Sequence, residues 1–540
     1  MEITDESADS NRMSEQAPRP EITRLSRMKQ RAEAAWVHLT RTADARTVSL
    51  EVFLVGVAVM LAWRLFIQLE VGDSAIWDYI AQAILRGQVP YRDVVEIKGP
   101  ASAYLSAVAM LVGRLVGLRD VIAVRFVQIL LASVLCSVTF LVVETYLRQR
   151  VAALIACMFP LMSDHFVSWT EGGTEPKLTM ILFGMLALLL IAKDRPVWAG
   201  FCSMMSCLSW QPGLLFAGVA VLIFSRYLTS WRDLRAVKVM LGAMIPLAVT
   251  VLYFYSVGAL TDFWIWTVAY NVEVYAPEGI RSFGDTLTHS WTVIVRVFRV
   301  DIIWFALGLA GLLMFAARQL RAKVRLRQAL ESPDLFKDAI VIAPVVYIAF
   351  CLINLQSGPD LLPLFPFLGI FAGWLITEMS RWLRSIGAVT KRPALLRAVE
   401  ALPALALSLV CAVTLFRAVT FRLADWTLWH QDTQLKVISD LIGPNDKIYV
   451  HGAVEILVLL NRPNLNPYIM WDHGKARYIA AKKFGGSTDA MVDAVEAEHP
   501  KIVAVSRLRQ VPERVALERW LEQHYETLPI TGYYAYLRKQ

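Results

Sequence analysis

Charge is scarce in this sequence. Asp, Glu, Lys and Arg make up 19% of 540 residues, while 56% are hydrophobic. Soluble domains carry nearer about 25% charged residues, so a soluble globule is excluded. Cysteine is also sparse. Cys136, Cys157, Cys202, Cys207, Cys351 and Cys411 all fall inside apolar segments, without metal-ligand spacing to histidine. They read as small core residues, and no disulfide can hold the cysteine-free stretch beyond residue 418. No HExxH, nucleophile elbow, Walker motif or glycine-rich phosphate loop after a strand occurs. Zinc-peptidase, serine-hydrolase and nucleotide-dependent chemistry therefore have no anchor. The absence of any Asn-x-Ser/Thr sequon points toward a bacterial inner membrane. The short basic stretch and early apolar core of a cleavable signal are missing too, so the first span is expected to remain as an anchor.

What the sequence has instead is apolar runs, each able to cross a hydrocarbon core of ~30 Å. They fall at 49–68, 121–146, 150–164, 177–192, 196–209, 211–227, 237–257, 301–317, 338–355, 360–380 and 400–418. The stretch 99–117 is ambiguous, and charge resolves it. With the N-terminus inside and 99–117 not crossing, the basic loops at 148–150, 193–195, 226–238, 318–337 and 381–397 all face the cytoplasm, as the positive-inside rule requires. The net charge of +8 thus sits in short cytoplasmic clusters rather than on one face, so nucleic acid is not a partner. Residues 1–48 read as a disordered cytoplasmic tail and 49–418 as the transmembrane part. Residues 419–540 read as a small extracytoplasmic α/β domain, with strands in DKIYVHG, KIVAVS and YYAYLRK and helices at 488–498 and 513–524. The predicted fold class is a polytopic α-helical membrane protein of about 11 transmembrane helices plus two interfacial helices.

Those two surface helices frame the most polar stretch, VGDSAIWDYIAQAILRGQVPYRDVVEIKGP (71–100). In 74–86, Ile76, Ile80, Ala83 and Ile84 share a face, and Gly87 can end the helix. In 99–117 the stripe Ala101, Tyr104, Leu105, Val108, Leu111, Val112 and Leu115 suits the membrane surface. Asp73 stands at the first helix start, either as an N-cap or as a carboxylate facing the polar side. Asp78 and Glu96 are further acids of this loop. Lys98, fixed by Gly99-Pro100, can snorkel to lipid phosphate or hold the phosphate of a lipid-linked substrate. The second outer loop, SDHFVSWTEGGTEPK (163–177), adds Asp164, His165, Glu171 and Glu175, the last set at a helix entrance by Pro176. Acids crowding the tops of apolar helices suggest function. Arg125 in the second span and Arg281, Arg296 and Arg299 in the loop 258–300 are cations on the side that otherwise avoids them. The aromatics of that loop fit an interfacial belt or a wall for sugar and lipid.

An acid after the first span, two surface helices, the Lys-Gly-Pro turn and an acid before proline resemble the GT-C superfamily of polyprenyl-phosphate-sugar-dependent glycosyltransferases. In layout the chain is similar to lipid A aminoarabinose transferases and protein O-mannosyltransferases. The resemblance covers about residues 50–380. It implies Asp73 as catalytic acid/base residue, Glu175 as the second acid, and Lys98, Arg125 and Arg281 as ligands of the donor phosphate. SWQPG (209–213) and SGPDLLPLFP (357–366) resemble two further family segments. Ser74 replaces an acid and Trp210 a lysine.

The resemblance also implies an inverting transfer at the outer face. The donor would be a polyprenyl-phosphate sugar, and the acceptor a hydroxyl of a lipid, polysaccharide or protein. No cofactor is required; the superfamily admits a divalent metal, but no ligand cluster indicates one. A transporter or lipid flippase would need ionisable residues at mid-bilayer and repeated halves, neither of which is visible. An inactive scaffold on the same fold is the remaining alternative.

Overall fold

The structure, a computed structural model, describes residues 30, 33–226, 233–279, 282–325, 336–421, 427–471, 474–506 and 514–539. It divides into residues 1–48 and residues 49–540. In the first unit the described residues 33–42 are helical, closing on a π-turn at His38–Thr42. The expected irregular tail is thus helical where it is described, and the remainder of that expectation lies outside the described residues.

Each expected apolar run contains a helix. They are α1 (Ala45–Trp63), α4 (Asp120–Leu147), α5 (Arg150–Met162), α7 (Pro176–Ala192), α8 (Pro196–Ser209), α9 (Leu214–Arg226), α10 (Arg235–Ser256), α12 (Ile302–Arg325), α13 (Lys337–Asn354), α14 (Phe365–Ser385) and α15 (Pro393–Thr420). Among the described residues 7 stretches are long and apolar enough to cross a membrane, or 8 if α5 and the short α6 (Asp164–Glu171), bent by 69°, count together. The chain is a polytopic helical membrane protein. Its outward side chains agree: Leu241, Val249, Leu252, Leu313 and Leu405 are all more than half exposed, as lipid-facing residues are.

With lipid outside, helices associate through close packing rather than hydrophobic exclusion, and small residues set the approach. At the contact of α8 with α10, a Cβ on Gly200 would lie 1.9 Å from the Val239 carbonyl oxygen, and one on Gly242 would lie 1.9 Å from that of Val197. Each glycine seats the other helix's backbone.

Between α1 and α4 lie α2 (Gly72–Leu85) and α3 (Ala101–Leu115). Helix α2 buries Ile76, Ile80 and Ala83 and leaves Ile84 half-buried; every residue from Ala75 to Ala83 is buried, so the helix is enclosed on all sides rather than resting on one apolar face. Gly87, at φ +83°, ends it, and Gln88 N–H returns to the Ala83 carbonyl at 2.9 Å. Helix α3 turns its small residues, Ser102, Ala103, Ser106, Ala107, Ala109 and Gly113, to the protein. Val108, Leu111, Val112 and Leu115 point outward. The stripe read from the sequence is therefore the lipid-side face, and the packing face is made of small residues with Met110 as its one bulky side chain.

The C-terminal part follows α15 with α16 (Leu428–Leu441), α17 (Glu455–Leu460), α18 (Lys475–Lys483), α19 (Thr488–Glu496) and α20 (Arg514–His524). Its sheet has the order β1 (Ile448–His451), β2 (Ile502–Val505), β4 (Tyr534–Arg538), β3 (Tyr525–Leu528). Strands β1 and β2 pair in parallel, the others antiparallel. Three strands lie in the segments expected to form them. The edge strand β3 is additional, because YETL has no turn signal separating it from α20. Strands β1 and β2 are buried along their whole length. One side of this core merges with Ala75, Ile76, Tyr79 and Ile80 of α2, and Tyr79 Oη accepts the Asn464 N–H at 2.8 Å.

Candidate active site

The loop from Leu65 to Gly72 is held by a cation. The Arg125 guanidinium, on α4, donates to the carbonyls of Phe66 and Gln68 at 2.9 and 2.7 Å, to that of Leu69 at 3.2 Å, and to Glu70 at 2.6 Å. Both side chains of the Arg125–Glu70 pair are fully buried. Arg125 was expected to meet donor phosphate; it instead fixes the entrance to α2. Beside it, Asp78 accepts from Thr174 N–H at 3.2 Å and from the Thr174 hydroxyl. Burial pushes Asp78 up to about 6, and raises Glu70 with help from Asp78. Among the described residues neither Glu70 Oε1 nor Asp78 Oδ2 meets a donor.

Above this base Asp73 sits within the first turn of α2, whose N-cap is Val71. The capping expectation for Asp73 is thereby corrected: its carboxylate accepts from Lys98 Nζ at 3.3 Å. Asp73 is 57% exposed, toward the cavity, while Lys98 is 12% exposed. Lys98 holds the Asp73 carboxyl well below the usual carboxylate range, and Lys177 and Lys475 add to this against the effect of burial. Burial alone would lower the Lys98 ammonium, but Asp73, Glu96 and Glu175 outweigh it and raise it. Lys98 also lies over the Trp77 ring, 5.8 Å from its centroid.

The Lys-Gly-Pro turn is rigid for a packing reason. A Cβ on Gly99 would stand 2.0 Å from the Leu208 carbonyl oxygen at the end of α8. Gln211 and Asn271 donate to the Ile97 carbonyl at 2.6 and 2.8 Å, and Tyr91 Oη donates to the Lys98 carbonyl at 2.8 Å. Glu96 is buried and accepts from the Ile97 N–H at 2.9 Å.

Glu175 is the true N-cap, accepting from Lys177 N–H at 2.9 Å with Pro176 in the first turn of α7. The Lys177 ammonium lies 3.8 Å from Glu175 and 3.6 Å from Asp360. It also lies 5.2 Å from the centroid of the Trp210 ring. Asp73, Ser74 and Glu175 border one cavity of about 630 Å³ with Gln68, Trp169 and Pro359 among its walls.

The other sequence candidates lie apart or serve the framework. Glu171 accepts from the Leu65 N–H at 3.2 Å. Asp164 accepts from the His165 N–H at 2.9 Å, and the His165 ring packs on Trp169 at 5.3 Å. Arg296 and Arg299 are exposed. Arg281 lies outside the described residues. The sequence reading missed Lys177, Asp360 and Lys475. Lys177 follows Pro176 in TEPK, where the acid before proline is the stronger local signal. Lys475 comes from the C-terminal part, and nothing local signals it. Among the described residues no three His, Cys, Asp or Glu side chains are placed to hold a metal ion.

No known family model matches the chain. A dolichol phosphate-mannose mannosyltransferase of Haloferax volcanii is 25% identical over 299 residues, 53% of this chain and 60% of that protein. The chain thus spans about 60% of the length of the curated relative it matches. Two solved structures of ArnT from Cupriavidus metallidurans share the fold. The apo form has a TM-score of 0.58 at 14% identity, over 94% of this chain and 98% of ArnT. The form bound to undecaprenyl phosphate has 0.57 at 14%, over 93% and 98%. The oligosaccharyltransferase AglB from Archaeoglobus fulgidus, in complex with an inhibitory peptide and a dolichol-phosphate, has 0.53 at 13%, over 91% and 74%. At these identities the likeness is one of fold: the chain shares the fold of ArnT and AglB.

Proposed function

We propose that the protein is a glycosyltransferase that moves a sugar from a polyprenyl-phosphate donor to an acceptor hydroxyl at the outer face of a bacterial inner membrane, with inversion at the anomeric carbon. The observation that carries this reading is Asp73, which borders a cavity of about 630 Å³ and is ion-paired with Lys98. The GT-C fold supports it, as do the names of the relatives, which include a polyprenyl-phosphate complex and a dolichol phosphate-mannose enzyme.

A base paired with a lysine is a weak base, since efficient proton transfer needs a pKa nearer the working pH. The donor phosphate resolves this. Lys98 leaves Asp73 for the phosphate, and the carboxylate, freed of its counter-charge, becomes more basic. The acceptor oxygen attacks the anomeric carbon and gives its proton to Asp73. The bond from that carbon to the phosphate oxygen breaks, and the lipid phosphate leaves with its charge held by Lys98. Glu175 orients the acceptor or the sugar. The C-terminal part, bringing Lys475, covers the outer side of the site. The acceptor is a lipid, polysaccharide or protein hydroxyl.

The test is transfer from a panel of radiolabelled polyprenyl-phosphate sugars to a membrane extract, comparing the wild type with Asp73→Asn. The reading expects label transfer by the wild type and a loss of about 10²-fold or more in the folded variant. Equal transfer by both removes Asp73 from the mechanism. No transfer from any donor by the wild type defeats the reading.

A further inference from the structure

A second site stands at the other end of the bundle. Helix α14 begins at Phe365, next to Asp360 and the ion cluster described above; Trp382 lies nearly five turns further on, roughly 25 Å away. Helix α12 begins beside Asp301, which Arg417 holds with two bonds of 2.6 and 3.0 Å, and runs the same course to Arg318 and Arg321. Between these distal ends two cavities meet. One, of about 910 Å³, is an open groove walled by Met314, Ala317, Trp374, Met379 and Trp382. The other, of about 300 Å³, is lined by Gln149, Gln319, Lys337 and Arg381. Arg318, Ala322, Trp374 and Glu378 belong to both.

Among the described residues the charge at the junction is unbalanced. Glu378 accepts from Arg318 at 2.8 Å, Arg381 at 2.6 Å and Gln149 at 3.1 Å. Arg321 also lines the groove, so three described arginines stand beside one described carboxylate. Net positive charge at the ends of apolar helices, opening onto an apolar groove, has the polarity of a diacyl lipid with an anionic head. A zwitterionic lipid leaves the cations uncompensated, and a free phosphate makes no use of the groove.

We propose that this distal site binds an acidic glycerophospholipid, its phosphate head in the pocket at Arg318, Arg321 and Arg381 and its acyl chains along Met314, Met379 and Trp382. The site is separate from the transferase reading and does not depend on it. Anionic headgroups attract juxtamembrane lysines and arginines by enough to change occupancy about fivefold per residue.

The test is native mass spectrometry of the full-length protein in detergent, with phosphatidylglycerol and phosphatidylcholine of identical chains added in equal amounts. Arg321→Glu removes a cation that holds no ion pair with Glu378. Arg397→Glu changes an exposed residue near the start of α15 and serves as the control. The expected result is preferential retention of phosphatidylglycerol by the wild type and by Arg397→Glu, with the preference cut about fivefold or more in Arg321→Glu. Equal retention of the two lipids by the wild type overturns the proposal. So does equal loss in both variants, which marks a diffuse charge effect, and so does an unchanged preference in Arg321→Glu.

Discussion

Lys98 Nζ and Asp73 Oδ2 lie 3.3 Å apart although 25 residues separate them in the chain. One side chain rises from the first turn of a surface helix and the other from a turn pinned to the end of α8. Whatever moves either element changes both the ionisation of Asp73 and the position of Lys98.

Replacing Lys98 by Met removes the dominant influence holding Asp73 in its ionised form and, in the proposed mechanism, the cation that receives the leaving group. The expected outcome is a loss of about 10²–10³-fold in kcat, measured with the active donor under saturation. Lys98→Arg, which keeps the charge, should recover part of it.

Gly99→Ala tests the turn without touching a charge. The added Cβ cannot coexist with the Leu208 carbonyl, 2.0 Å away, and the clash is with backbone. The turn must shift, and a displacement of about 1 Å at a reacting group costs about 10²-fold in rate. Activity should therefore fall far more than thermal stability, and detergent melting curves beside transfer assays will show the ratio.

Arg125 and Glu70 form a fully buried pair, so removing Arg125 strips four buried acceptors of their donor, and neutralising Glu70 leaves the guanidinium buried without its counter-charge. Arg125→Met and Glu70→Gln should each destabilise by about 3–5 kcal/mol. The double variant should cost less than the two together. Additive losses in a double-mutant cycle would show that the two side chains act independently.

Asp78 gives a pH dependence of known sign. Its folded value, about 6, lies above the ordinary 3.8. Between these values the folded state binds more protons than the unfolded state, so stability contributed through this group falls as pH rises through that window. Asp78→Asn keeps an acceptor for Thr174 but cannot titrate. Its melting temperature should fall less than that of the wild type between pH 4 and 7.

The sequence by itself determined the membrane character, the helix positions, the loop that carries Asp73 and Lys98, and the second loop that carries Glu175. Apolar runs and turn residues act locally, and a helix in lipid must satisfy its backbone within the segment. The first surface helix was legible in the helical spacing of Ile76, Ile80 and Ala83, but not in its enclosure, which buries every residue from Ala75 to Ala83. The second was legible in its orientation too: the bulky stripe expected at the membrane surface is the exposed one, and Gly113 and the alanines pack inside.

Only the tertiary structure decided which charges meet. Arg125 looked like a phosphate ligand because a lone cation near the outer face is unusual, yet the carbonyls of 66–69 enclose it. Trp210 looked like a lost charge until Lys177, on a different helix, was found over its ring. Lys475, 402 positions after Asp73, acts on that carboxylate through the placement of the C-terminal part. Helix formation follows from a residue's neighbours in sequence, whereas the ionisation of Asp73 follows from its neighbours in space. No periodicity encodes those.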